Sequence, residues 1–253
     1  MKILSYGGGI QTTALAVLVA EGQVETDHIV FADPGSEDPR TYVHIKGMQQ
    51  WLGERGLEIT TVRAPVQPLY EYVWDRSAVI PVRIGHNEGL GHRQCTRQWK
   101  ITPVLSHARS LTDERPIIMQ LGISIDEAHR MKDSPDKDVI REWPLIDLGL
   151  RREDCRTIIR EAGLPEPPKS ACYFCPLRQS AYFKGLASTN PVLFEKAAAL
   201  EDRINERRQE QGKEKGAYLT PSGIPLRLLA TGQSSFLDQV DNEAEECEGV
   251  CFV

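Results

Sequence analysis

Residues 3–20 read Ile3-Leu4-Ser5-Tyr6-Gly7-Gly8-Gly9-Ile10-Gln11-Thr12-Thr13-Ala14-Leu15-Ala16-Val17-Leu18-Val19-Ala20. The apolar run Ile3–Tyr6 has the length of a strand. The alanine- and leucine-rich stretch from Thr13 predicts a helix, and three glycines join the two. Such a turn is a ready anion site: without Cβ atoms the backbone N–H groups approach phosphate or sulfate oxygens, and the helix dipole favours negative charge there. Three glycines alone also fit a tight turn that holds no ligand.

Outward from this stretch, His28-Ile29-Val30-Phe31-Ala32 predicts a second strand ending at Asp33-Pro34-Gly35. Tyr42, Ile45, Met48 and Leu52 recur at helical spacing behind Pro39, and Glu58–Arg63 alternates with β-branched residues as a third strand. This β-α-β-α-β order predicts an α/β protein with a parallel sheet. Ligands of such sheets bind beyond the C-terminal strand ends, where the glycine turn and Asp33 both fall. Residues 64–94, with Pro65, Pro68 and Pro81, are expected to form a long loop. A helix over 98–110, a strand over 117–121, an exposed loop over 132–138 and a helix from Asp154 stopping at Gly163 follow. The doubly charged stretch 192–215 reads as a helix with a solvated outer face. We expect a nucleotide-binding domain over 1–150, a helical, CxxC-bearing extension packed on it over 151–237, and an acidic, loosely held tail over 238–253.

The chain has 253 residues, 40% hydrophobic and 26% charged, with a formal net charge of -6. That charge offers nucleic acid no global attraction, so such a partner needs a local patch, for which Arg151, Arg152, Arg156 and Arg160 are the candidates. No run approaches the ~20 apolar residues of a membrane helix, and the start lacks a basic segment leading into an apolar one. A cytoplasmic location without membrane attachment is the expectation.

Six cysteines stand at 95, 155, 172, 175, 247 and 251, too scattered for a disulfide scaffold. Cys172-Tyr173-Phe174-Cys175 is a CxxC pair open to zinc, an iron–sulfur cluster or dithiol chemistry. Cys95, between Arg93 and Arg97, is the best third donor, since cations stabilise a thiolate. Cys155 lies among isoleucines and reads as buried and inert. Cys247 and Cys251 sit among Glu245, Glu246 and Glu248, whose charges disfavour a thiolate.

Together these residues resemble the phosphoadenosine phosphosulfate (PAPS) reductase family of the PP-loop, or adenine nucleotide alpha hydrolase-like, superfamily. The superfamily loop reads Ser-Gly-Gly-x-Asp-Ser; here Gly7 replaces the first serine, Gln11 the aspartate and Thr12 the last serine, and Gly9-Ile10-Gln11 is similar to a variant seen in its reductases. Cys95-Thr96, Lys100 and Pro103 are similar to the Cys-Cys-x-x-Arg-Lys-x-x-Pro motif of cluster-bearing adenylyl-sulfate reductases, with Thr96 and Trp99 as departures. Cys172 and Cys175 match that family's later CxxC. Gly122 through Arg130 loosely resembles its Gly-x-Arg motif, and Glu246-Cys247-Glu248-Gly249 its C-terminal Glu-Cys-Gly motif.

The resemblance implies a Rossmann-like three-layer PP-loop sandwich with a cysteine-bearing C-terminal segment. It implies an adenine nucleotide held by Ser5, Gly7, Gly8, Gly9, Gln11, Thr12, Asp33, Lys100, Gly122 and Arg130, and a [4Fe-4S] cluster on Cys95, Cys172 and Cys175. Cys247 would be the nucleophile, with Cys251 or an external thioredoxin as second thiol. Thr96 leaves three matched cysteines, so one iron would be open, as in cluster-dependent tRNA thiolases and phosphorothioation enzymes of the superfamily. Gln11 removes a carboxylate that Mg2+ favours, which weakens an ATP-cleaving reading. Three functions therefore stand: a reductase of adenylyl sulfate or its 3′-phosphorylated form, an ATP-dependent sulfurtransferase acting on a nucleic acid or small molecule, and a nucleotide-binding module with zinc on the three cysteines and a histidine such as His92. Whether the chain forms a homodimer is left open.

Overall fold

The computed structural model describes residues 1–85 and 89–230. In chain order the elements are β1 (Lys2–Ser5), α1 (Ile10–Ala20), β2 (His28–Ala32), α2 (Pro39–Gly53), β3 (Ile59–Val62), α3 (Leu69–Asp75), β4 (Arg83–Ile84), β5 (Gly89–Leu90), α4 (Gln94–Thr96), a π-helical turn (Arg97–Ile101), α5 (Thr102–Leu111), β6 (Ile117–Gln120), a 3-10 segment (Ile125–Arg130), β7 (Val139–Glu142), α6 (Pro144–Asp147), α7 (Arg152–Glu161), α8 (Ser180–Thr189), α9 (Pro191–Glu210), β8 (Ala217–Tyr218) and α10 (Leu226–Ala230). They fall into two compact units that interleave along the chain. The first comprises Met1–Pro65 and Thr96–Ser170, and the described part of the second comprises Val66–Cys95 and residues 171–230. The expected boundaries at 150 and 237 follow chain order instead.

The first unit is α/β, built on a five-stranded sheet in the order β3-β2-β1-β6-β7. Every pairing is parallel, with Leu4 opposite Ile29 on one side and opposite Gln120 on the other. Strand alternation sends side chains to two cores. Leu4, Tyr6, Ile29 and Phe31 pack with residues of α1, α2 and α7. Ile3, Val30, Ala32, Ile117, Met119 and Val139 pack with Val104, Leu105 and Ala108 of α5. Helices thus cover both faces, as a parallel sheet requires. Asp38 starts α2 by accepting the Arg40 N–H at 2.9 Å, with Pro39 in the first turn. Cys155 is fully buried in α7, and burial pushes its thiol pKa up to about 12, in keeping with an inert core cysteine.

The second unit is mostly helical. Segment 64–94, expected as loop, instead carries α3 and the antiparallel pair β4–β5, to which β8 adds through Arg83 opposite Tyr218. The helix expected over 192–215 ends at Glu210, and it is not merely a solvated face: Phe194, Ala197, Ala198, Leu200 and Ile204 are buried. Tyr70, Tyr173 and Phe174 form an aromatic cluster with centroids 4.9–6.0 Å apart. Glu201 is buried in α9 and accepts the N–H groups of Leu219 and Leu226, each at 2.7 Å. Among the described residues no helix is long and apolar enough to cross a membrane.

Candidate functional site

Strand order reverses between β1 and β6, so a crevice opens beyond their C-terminal ends, the usual ligand position of such sheets. Ser5 ends β1, and Gly7–Gly9 lead into α1. Gly8 has φ +72°, a left-handed conformation that favours glycine. The Thr12 hydroxyl accepts the Gly9 N–H at 3.2 Å and the Gly7 N–H at 3.3 Å, pinning the turn. Ser170 donates to the Gly7 carbonyl and ties the end of this unit's second segment to the same turn. Gly122, just beyond β6, faces the opening of α1. A Cβ there would lie 2.7 Å from Thr12 Cγ2 and 2.9 Å from Thr12 N, so only glycine leaves this approach to the helix N-terminus open. The first N–H groups of a helix have no acceptor within it, and an anion seated there would supply one.

Gln11 is 4% exposed, and its Nε2 has no hydrogen-bond partner among the described residues. A buried donor in that state costs about 1–3 kcal/mol unless a ligand or water satisfies it. Thr41 Oγ1 is likewise buried without a partner, and Thr41 Cγ2 lies 3.5 Å from where a Gly8 Cβ would stand.

Asp33 follows β2 as expected, but its carboxylate is occupied by the protein. Oδ1 accepts from the Gly35 N–H at 2.8 Å and the Tyr42 hydroxyl at 2.6 Å, while Oδ2 accepts from Arg63 at 2.7 and 2.9 Å. Burial, then Asp33 itself, holds the Tyr42 hydroxyl above its ordinary pKa, so it stays a donor. Asp33 thus organises the loop behind β2.

Each of the two candidate cations comes with a buried carboxylate that sequence reasoning missed. Lys100, on the π-helical turn, meets Glu37 Oε1 at 2.6 Å; the Glu37 side chain is 0% exposed and its Oε2 has no hydrogen-bond partner among the described residues. Arg130, at the end of the 3-10 segment, lies 3.1 Å from Glu127, and Arg152 lies 4.0 Å from the same carboxylate. Arg156 pairs with Glu153 and Glu166, so the arginines considered as a basic patch are interleaved with acids. No local signal could have revealed Glu37 or Ser170, because their partners are distant in sequence.

Cys95, Cys172 and Cys175 all belong to the second unit. Cys172 and Cys175 share one turn, closed by the Cys175 N–H donating to the Cys172 carbonyl at 3.1 Å. The buried Arg178 braces that turn through the carbonyls of Ala171 and Cys172, at 2.7 and 3.0 Å. Cys95 is fixed by its N–H to the Val79 carbonyl at 3.0 Å. Among the described residues no group of three or more His, Cys, Asp or Glu side chains is arranged to hold a metal ion. Cys247 and Cys251 lie outside the described residues. No protein-family model matches this chain, and a search of curated proteins finds no match.

Proposed function

We propose that the chain is an adenine-nucleotide enzyme of PP-loop type, similar to PAPS reductases, that reduces adenylyl sulfate or its 3′-phosphorylated form with thiols. The observation that carries this reading is the cradle at the switch point, where the glycine turn opens α1 and Gly122 leaves room over Thr12. The turn seats the phosphosulfate against the helix N-terminus. In this reading Lys100 and Arg130 supply the cations for its charge, each of them paired with a carboxylate, Glu37 and Glu127.

In this reaction the Cys247 thiolate attacks the substrate sulfur. An S–S bond forms, the S–O bond to phosphate breaks, and its electron pair leaves with the 5′-phosphate of the nucleotide. A second thiol, Cys251 or an external dithiol protein of thioredoxin type, then attacks the Cys247 sulfur. Sulfite departs, two thiols become one disulfide, and each thiol surrenders its proton to solvent. The two thiols supply both electrons, so these steps balance without a further redox centre.

Calorimetric titration with adenylyl sulfate, its 3′-phosphate form and ATP, followed by sulfite release with dithiothreitol, tests this. Sulfite should appear with one sulfated nucleotide and vanish in Cys247→Ser, whose nucleotide affinity should stay within about twofold, a difference of under ~0.5 kcal/mol. Magnesium-dependent ATP turnover without sulfite would replace the reading with a sulfurtransferase. Binding without any turnover would leave a nucleotide-binding module.

A further inference from the structure

The α5 face of the same sheet holds a second cavity, of about 240 Å³, which the nucleotide reading does not use. Its floor is apolar: Ile101 from the π-helical turn, Leu105 from α5, Met119 from β6 and Val139 from the edge strand β7. Its rim is cationic, with Arg97, Lys132 and Arg141. Register explains the combination. Met119 stands opposite Arg141 and Ile117 opposite Val139, so strand alternation sends Arg141 to the α5 face while its neighbours form the floor.

Among the described residues the Arg141 side chain makes one hydrogen bond, from Nη1 to the Lys132 carbonyl at 2.8 Å, and has no carboxylate within ion-pair distance. The Arg97 side chain makes no hydrogen bond or ion pair among the described residues. Two carboxylates also line the cavity, Asp133 and Asp136, but Asp136 is shared with Arg109 at 3.5 Å. Three cations thus face two carboxylates, leaving an excess positive charge over an apolar floor. Burial lowers the Arg141 pKa, and Asp136 and Asp133 only partly offset it. A guanidinium over a dry floor gains most from a planar anion that it can meet with two parallel hydrogen bonds.

We propose that this cavity binds a small organic monocarboxylate with a compact apolar body, the carboxylate on Arg141 and the body between Leu105 and Met119. The volume falls below the ~300–1,000 Å³ typical of pockets for larger ligands, so a whole nucleotide is too big for it. The cavity also lies against the opposite core from α1, which makes its ligand distinct from that of the glycine turn.

Methyl-13C-methionine NMR tests the assignment with benzoate as probe. Met119 reports on the cavity, and Met48, in the core on the other face, is the internal control. Benzoate should move the Met119 signal saturably and leave Met48 still. Benzamide, the neutral analogue, and inorganic phosphate, an anion without an apolar body, should each bind at least about tenfold more weakly, the equivalent of ~1.4 kcal/mol. Arg141→Gln should weaken benzoate by about tenfold or more, with an unchanged Met48 signal certifying the fold. The proposal is overturned if Met119 shows no saturable shift up to about 10 mM benzoate, a range that covers Kd values near 1 mM. It is overturned equally if benzamide or phosphate matches benzoate, or if Arg141→Gln leaves the affinity intact. Should that variant fail to fold, Lys132→Met and the benzamide comparison on the native chain decide the question.

Discussion

Gly122 is the residue on which the cradle depends most directly. A methyl group at its Cβ position meets Thr12 backbone at 2.9 Å, and backbone cannot swing aside as a flexible side chain would. Gly122→Ala should therefore push the β6 terminus and the α1 opening apart. Overpacking of this kind costs about 1–3 kcal/mol, and the displaced helix N-terminus should weaken nucleotide binding by about tenfold or more. Urea unfolding and calorimetry read the two effects separately; an alanine variant with native nucleotide affinity would show that the approach over Thr12 is not used. At this scale the glycine turn was legible because strand, turn and helix are contiguous. The Gly122 assignment came from resemblance, and its physical reason needed β6 placed beside β1. Asp33 was found at the expected strand end, yet its engagement by Tyr42 and Arg63 is a property of the folded loop.

Between elements, the pair of Glu37 and Lys100 joins the loop behind β2 to the π-helical turn that precedes α5. A π turn inserts a residue into helical phase and often marks a functional position. Removing one partner of a buried ion pair strands the other charge, at a cost of about 3–5 kcal/mol, whereas removing both charges is far milder. Lys100→Met should accordingly lower stability by several kcal/mol, and adding Glu37→Gln should recover more than half of it without recovering nucleotide affinity. Denaturation midpoints of the two single variants and the double variant measure this. Equal losses in all would mean that the lysine matters for packing alone. The helix at 191–210 illustrates what sequence hid at this scale: its mixed charges suggested an outer face, but a unit made of short segments has few other residues from which to build a core.

Across the whole molecule, two buried titrating groups oppose each other, one in each unit. His44 is buried on the α1 side, its Nε2 3.1 Å from Tyr6 Oη and 3.0 Å from Thr13 Oγ1, and burial lowers its pKa from 6.5 to about 4. Between those values the unfolded chain binds the extra proton, so its contribution is complete above pH 6.5 and is lost as pH falls toward 4. Glu201 runs the other way. Burial raises its pKa from 4.5 to about 7, against its two backbone N–H bonds, so its contribution is present below pH 4.5 and lost as pH rises through 7. Each effect is on the order of 3 kcal/mol over its full range. Native-state hydrogen exchange, converted to free energies, should show α1 losing protection and α9 gaining it from pH 7 to pH 5. Parallel changes in both helices would refute the assignment of these two groups. The parallel sheet was legible from three strands and two helices in sequence; the interleaving of units was not, because β4 finds β8 more than a hundred residues away.

The same long-range pairing has a consequence in time. β1 is flanked by β2 on one side, but its other edge waits for β6, whose Ile118 pairs with Lys2. A ribosome adding about 5–20 residues per second needs on the order of ten seconds to travel from the one strand to the other. Throughout that interval the nascent half-sheet carries a bare, apolar strand edge, the kind of template on which chains aggregate. The centre of the finished sheet is thus its most vulnerable margin during synthesis.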